Sequence, residues 1–398
     1  MSHSTTSREQ AAVGGLLDAI AESNGAPLPD PWASAITSVP RHLFLPRVIW
    51  QHDDQGGYAT VDADAQPDRW FAAAYADDSI VTQVNDGEPV DEDTSVFPSS
   101  STSAPSIVAH MLTMLAPKPG QRVLEVGTGT GWNAALLAHV LGAENVTTVE
   151  VDRTLAEQAA TVLNATTPGV RVVCGDGTLG HPDGGPYDHV EATCSLNGIP
   201  AALLAQTKPG GTILTPWSRP WCDFGLLHLT VDEHGGGLGH FSPYAAFMRA
   251  RGHRLGLRLY HDIVADEHQP TESRTRLTPW DVADDDHNAQ FAIGLRLPDL
   301  WHIWHHAPDV EGVETRLWVA TTDKASWAAI DYDGNDDEEF TVWQHGQRRL
   351  WDEIESAWHW YTDNGRPTPD RFGMTVATAG HAVWLDTPGN VIDASMPV

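Results

Sequence analysis

Between residues 105 and 217 the chain alternates short apolar strands with amphipathic helices, and this alternation restricts the possible folds more than any other feature. SAPSIVAHMLTMLAP places Ile107, Val108, Met111, Leu112 and Leu115 at helical spacing, with Pro117 as its stop. RVLEVG reads as a strand running into glycine, WNAALLAHVLG as a helix closed by Gly142, and VTTVEVD as a β-branched strand. The helix LAEQAATVLNAT, the strands VRVVCGDG and YDHVEATCS, the helix IPAALLAQTKPGG and the strand TILTPW continue the pattern. Short connections between such elements point to a parallel sheet with crossover helices. The expected fold is α/β, a Rossmann-like doubly wound sheet.

The flanks differ. Residues 9–23 carry helical apolar spacing at Ala12, Leu16, Leu17 and Ile20, and WASAITSVP reads as a second helix ending at Pro40. From about 51 to 100 the chain is polar, and DGEPVDEDTS reads as a solvated loop. Past about 252 the alternation ends, and ten of the 16 tryptophans fall between Trp280 and Trp384. There TRLWVAT, SWAAIDY and FTVWQH read as strands, RRLWDEIESAWHWYTDNG as a helix, and FGMTVAT with HAVWLD as a strand pair. Large aromatics dominate small cores, so the tryptophans are expected in a core. The expected organisation is 1–100, an N-terminal helical segment with substrate-side loops; 101–250, a cofactor-binding core; and 251–398, a Trp-rich α+β domain.

Composition narrows the function. Over 398 residues acids outnumber bases 54 to 23, a formal net charge of -31, and such a surface repels phosphate backbones. Nucleic acid is therefore not an expected partner. No apolar run approaches the roughly 20 residues that span a bilayer, and MSHSTTSREQAA has neither a basic nor an apolar signal region. Cys174, Cys194 and Cys222 form no disulfide framework or CxxC pair. A cytoplasmic protein, off the membrane, is expected. His302, His305 and His306 with Asp309 have no second cluster to complete a metal site, so LWHIWHHAPD reads as a helix or turn with surface histidines. Cys194 reads as a buried thiol.

The chemistry begins at VLEVGTGTGWNAALLA. Gly127, Gly129 and Gly131 between the first strand and its helix let a ligand approach the backbone at the sheet end where such folds bind cofactors. A dinucleotide fingerprint would require glycine where Trp132 stands, and a Walker loop would require a GK[ST] that is missing. Glu125 precedes the first glycine by two residues. Glu150 ends the second strand, where an acid can accept both ribose hydroxyls. Gly175-Asp176-Gly177 ends the third strand, placing a carboxylate near an adenine edge. This set fits S-adenosyl-L-methionine, which has no phosphates to hold, and Glu125 suits its cationic sulfonium and ammonium groups.

Together with ITSVPRHLFLP, AYADD, STSAPSIVAHML, GDGTLGHPDGGPYDHV and QTKPGGTILTP, these stretches make the chain resemble the protein-L-isoaspartate O-methyltransferase family over about residues 12–220. The resemblance implies Ser103 as the active-site serine and Asp77 as the aspartate of the preceding loop. It implies cofactor contacts at Ser101, Thr102, Ser103, Gly127, Thr130, Glu150, Val151, Asp176 and Gly177. Two departures stand out: an acidic insertion around DGEPVDEDTSVFPS, and about 180 residues beyond the point where the family is generally complete. QRRLWDEIESAW and RFGMTV are similar to the long branch of the family that accompanies ribosomally made peptides of lanthipeptide or graspetide type. That likeness implies methylation of an aspartate in a modified precursor peptide, with collapse of the ester to an aspartimide.

A carboxylate is already ionised at neutral pH, so methyl transfer to it needs placement and exclusion of water more than a general base. Ser103 would orient the substrate carboxylate without becoming a covalent nucleophile; its other reading is a helix N-cap. Arg249 and Arg251 in FMRARGHR are the expected cations on the substrate side, with solvated surface arginines as the other reading. General protein repair and a peptide-binding protein without turnover remain as alternatives. The products ester, aspartimide and isoaspartate stay open.

Overall fold

In a computed structural model, the structure describes residues 6–52, 57–90, 96–244, 246–284, 286–306, 308–335, 339–377 and 380–396. Residues 91–95 of the expected solvated loop lie outside this set. Chain contacts divide the molecule into two compact units: residues 1–194, 200–214 and 230–235, then residues 195–199, 215–229 and 236–398. The first hundred residues thus cluster with the alternating segment.

The first unit opens with α1 (Ser7–Asn24) and α2 (Trp32–Ser38). In α1, Thr6 and Glu9 form a reciprocal capping box, which satisfies amides that a helix start leaves unpaired. The polar stretch that follows is no loop. It folds into β1 (Val48–His52), β2 (Tyr58–Asp62), the helix α3 (Pro67–Ala74), β3 (Ile80–Val84) and β4 (Pro98–Thr102), with antiparallel strand order β2-β1-β3-β4. These strands are hard to read from the sequence because few inward apolar residues, among them Ile49, Val61, Ile80 and Val81, stand in a polar stretch; residues 88–90 of the expected loop carry no helix or strand. The helix α4 (Pro105–Leu115) follows directly from β4.

The alternating segment folds as expected. It comprises β5 (Val123–Val126), α5 (Trp132–Leu141), β6 (Val146–Glu150), α6 (Arg153–Thr166), β7 (Arg171–Cys174), β8 (Tyr187–Ala192), α7 (Ala201–Gln206) and β9 (Thr207–Pro216). Strand order is β9-β8-β5-β6-β7, and β5 pairs parallel with both β6 and β8. Val123, Leu124 and Val126 are at most 3% exposed, as a strand covered on both faces requires. The helix expected to run through QTKPGG stops at Gln206, and β9 takes up Lys208-Pro209-Gly210-Gly211.

Beyond β9 come β10 (Leu226–Val231), β11 (Gly237–Ser242), β12 (Thr271–Thr275), α8 (Pro279–Ala283), α9 (His287–Arg296) and β13 (Leu300–His306). Then follow β14 (Thr315–Thr321), β15 (Trp327–Tyr332), β16 (Phe340–His345), α10 (Leu350–Asp363), β17 (Phe372–Ala377), β18 (Gly380–Leu385) and β19 (Val391–Met396). A five-stranded sheet of order β12-β16-β15-β14-β13 carries the core of the second unit. Trp221, Trp351, Trp318 and Trp327 are buried in its two apolar clusters, so these tryptophans build core. LWHIWHH forms strand β13, not a helix or turn. His302 turns inward, packs tilted against the Trp221 ring at 4.5 Å and reaches its carbonyl at 3.0 Å. No helix among the described residues is long and apolar enough to cross a membrane.

Candidate functional site

The loop after β5 departs from ordinary backbone at three glycines: Gly127 (φ +103°), Gly129 (φ +52°) and Gly131 (φ +87°). Only glycine adopts these values without strain. A Cβ on Gly127 would also lie 2.8 Å from the Thr193 hydroxyl. Across the loop, Glu150 at the end of β6 accepts the Gly129 amide at 2.9 Å and the Asp152 amide at 3.1 Å. Its carboxylate is thus fixed beside the glycine turn. Asp152 then caps α6 by accepting the Leu155 amide.

The end of β4 reaches the same loop. A Cβ on Gly129 would meet the Ser101 carbonyl at 3.6 Å and Ser100 Oγ at 3.8 Å. Thr102 is buried, while Ser101, Ser103 and Thr130 are half-buried. On the β7 side, exposed Asp176 accepts the Thr178 amide and hydroxyl. Gly177 packs so close to Val126 that a Cβ would lie 2.5 Å from its Cγ1. Two large apolar side chains stand exposed on these segments: Val151 at 48% and Leu179 at 64%. Such surface next to fixed carboxylates suits a nucleoside, whose base buries apolar area while its sugar hydroxyls donate. Glycine cradle, carboxylate and apolar rim therefore fit S-adenosyl-L-methionine.

Ser103 is not the helix cap. The N-cap of α4 is Ala104, and no side chain of that residue bonds there. The amide of Ser106 donates instead to Asp77 Oδ1 at 2.7 Å, and Ser23 Oγ donates to Asp77 Oδ2 at 2.7 Å. Asp77 thereby anchors the first turn of α4 and ties it to α1. Both oxygens are engaged, so its visible role is to place the serine segment.

Glu125 corrects an expectation. It is fully buried and faces the sheet interior, where Thr148 donates to Oε2 at 2.5 Å and Asn133 Nδ2 to Oε1 at 2.8 Å. The second hydrogen of the same Asn133 amide goes to Glu191 at 2.9 Å; Glu191 stands opposite Glu125 on β8. Burial pushes Glu125 up to about 8, opposed by its hydrogen bonds and reinforced by Glu191, and burial raises Glu191 to about 7. Because the folded state holds this proton above the ordinary carboxylate value, stability is fully present at acid pH. It is lost as pH climbs through the neutral range toward 8. Glu125→Gln, which keeps the shape without the charge, is expected to stabilise the protein by about 2 kcal/mol at pH 8 and by little at pH 5. Chemical denaturation at the two pH values measures this; equal effects would reject it.

Cys194 is a half-buried free thiol. Burial, then the carboxylates of Glu150, Glu125 and Asp176, push its thiol up to about 12. In the second unit Arg249 is held by Asp223 at 2.7 Å and donates to the Arg219 carbonyl, with 17% of its side chain exposed. It is not a solvated surface cation. Arg251 lies two residues on, in a short helical turn.

Sequence reasoning missed Arg41. It lies in the ITSVPRHLFLP stretch and is 1% exposed. Its guanidinium donates to the carbonyls of Ala74, Ala76, Asp78, Thr102 and Ser103. It also lies 5.4 Å from the Trp132 ring, whose Nε1 donates to the Val39 carbonyl at 3.1 Å. A cation directly after Pro40, in a short turn that also carries Leu43 and Phe44, was the available signal.

A family model described as Protein-L-isoaspartate(D-aspartate) O-methyltransferase (PCMT) matches residues 68–221. Over 128 residues the chain is 42% identical to the Protein-L-isoaspartate O-methyltransferase of Pyrococcus horikoshii, covering 32% of this chain and 58% of that protein. Over 167 residues it is 39% identical to the Protein-L-isoaspartate O-methyltransferase of Methanopyrus kandleri, covering 39% of this chain and 74% of that protein. A solved protein-L-isoaspartate O-methyltransferase shares the fold with a TM-score of 0.52 at 18% identity, over 94% of this chain and 100% of that one. This likeness in fold extends past residue 221.

Proposed function

The chain belongs to the protein-L-isoaspartate O-methyltransferase family, and on that premise we propose that it esterifies an aspartyl or isoaspartyl carboxylate in a peptide or protein. The observation that carries this reading is the meeting of three segments: the glycine loop after β5, Glu150 fixed against the Gly129 amide, and the end of β4 leading into Ser103. S-adenosyl-L-methionine would be held by the glycine loop with Thr130, by Ser101 and Thr102, by Glu150 and Val151, and by Asp176 and Gly177. When bound, it supplies an electrophilic methyl on a cationic sulfur.

The chain's own residues then position and exclude. Ser103 donates a hydrogen bond to the acceptor carboxylate and keeps one oxygen in line. Asp77 keeps the serine segment in register with α4. No side chain needs to remove a proton, because the acceptor is already an anion. Arg249 and Arg251 are proposed as the cations that offset the -31 charge an acidic substrate meets.

A second reading concerns the substrate. The likeness of QRRLWDEIESAW and RFGMTV to the long branch of the family supports a modified precursor peptide as substrate in place of damaged proteins at large. There the ester, a better electrophile than the carboxylate, is attacked by the next backbone nitrogen, releasing methanol and closing an aspartimide. Mass spectrometry after incubation with S-adenosyl-L-methionine tests both readings. An isoaspartyl peptide gaining one methyl supports repair. A cyclised aspartyl peptide gaining a methyl or losing water, with the isoaspartyl peptide untouched, supports the second. Inertness of both peptides rejects the activity.

A further inference from the structure

A buried guanidinium organises the backbone on which the serine sits. Five carbonyls from two separate segments converge on Arg41: Ala74 at 3.3 Å, Ala76 at 3.1 Å, Asp78 at 3.0 Å, Thr102 at 3.5 Å and Ser103 at 3.0 Å. One segment carries Asp77, the other Ser103. Burying a charge this deeply is costly unless its hydrogens are satisfied; here backbone oxygens satisfy the two terminal nitrogens, Nε has no partner among the described residues, and the Asp77 and Asp78 charges oppose the desolvation. The planar fork matters. A guanidinium presents donors on two terminal nitrogens at fixed spacing, so it can hold two strands of backbone at one separation.

The arrangement is more specific than general packing. Anchoring a single loop would need one donor; Arg41 instead spans the aspartate loop and the serine loop together. The Ser103 carbonyl belongs to the peptide unit from which α4 departs, and Asp77 fixes the first turn of that helix through the Ser106 amide. The serine backbone is thereby gripped before and after its side chain.

We propose that Arg41 is the positioning residue for methyl transfer, holding the Ser103 peptide at the separation from the Asp77 loop that lets the serine hydroxyl orient the acceptor carboxylate. It touches neither substrate nor cofactor. This inference rests on the methyltransferase reading above.

Arg41→Lys keeps the charge but replaces the fork with a single nitrogen, which cannot span both segments. Kinetics on an isoaspartyl peptide, at a temperature where circular dichroism shows each variant folded, should give a kcat lowered tenfold or more. Calorimetry should give a Kd for S-adenosyl-L-methionine within threefold of the parent, because the glycine loop and Glu150 are untouched. In a Ser103→Ala background the same substitution should cost less than threefold further, since Arg41 acts through the serine. Should Arg41→Lys not fold, Arg41→Gln with and without added methylguanidinium gives the comparison, with kcat expected to recover on addition. A folded Arg41→Lys with kcat within threefold of the parent overturns the inference, as does an undiminished loss in the Ser103→Ala background or, for Arg41→Gln, no recovery. If the parent methylates neither isoaspartyl nor aspartyl peptide, the functional reading falls and takes this one with it; an active parent with an equally active variant sinks this one alone.

Discussion

Glu150→Ala is expected to weaken S-adenosyl-L-methionine binding about 150-fold, or about 3 kcal/mol. An ionised acceptor contributes about 1.5–3 kcal/mol per hydrogen bond, and two ribose hydroxyls are proposed to donate to this one. The full sum is not expected, because Glu150 already accepts the Gly129 and Asp152 amides and must share its oxygens. Losing those two amide bonds adds a second consequence: the glycine turn loses the acceptor that fixes it, so melting temperature falls as well. Glu150→Gln separates the effects, since its carbonyl can still accept one amide while its NH2 group meets the sugar as a donor. Calorimetric titration measures the affinity directly. A Kd within threefold of the parent would show that the sugar lies elsewhere.

Ser103→Ala should lower kcat about 100-fold while leaving the melting temperature near that of the parent. Orientation of a near-attack geometry is worth several kcal/mol in total, and one hydroxyl supplies a part of it. The stability forecast follows from the structure: Ser103 does not cap α4, and the contacts that hold its backbone come through its carbonyl. Removing Oγ therefore leaves Arg41, Asp77 and the helix start in place. Single-turnover methylation of an isoaspartyl peptide with excess enzyme isolates the transfer step. A rate within threefold of the parent would remove Ser103 from the chemistry, and a large drop in melting temperature would return it to a structural role.

The site divides into a part the sequence displayed and a part it concealed. Gly127, Gly129, Gly131 and Glu150 were legible because local backbone demands announce themselves: positive φ requires glycine, and a strand that ends in an acid puts that acid at the sheet edge. Glu125 was misread. Two residues before the loop it looks available to a ligand, yet strand alternation turns it inward to meet Asn133 and Glu191 from other elements. Asp77 was found through family resemblance, but its work as the distant cap of α4 needed coordinates. Arg41 escaped notice because its partners are backbone carbonyls, which every residue has.

What the amino-acid order determined by itself was the doubly wound sheet and its cofactor end, since periodicity, glycine and β-branching act over a few neighbouring residues. The small antiparallel sheet of residues 48–102, the inward carboxylate pair and the guanidinium joining residues 74–78 to 102–103 were decided only in three dimensions. Each depends on groups far apart in the chain that burial forces to satisfy one another, and a buried charge or carbonyl accepts whichever partner the packing delivers.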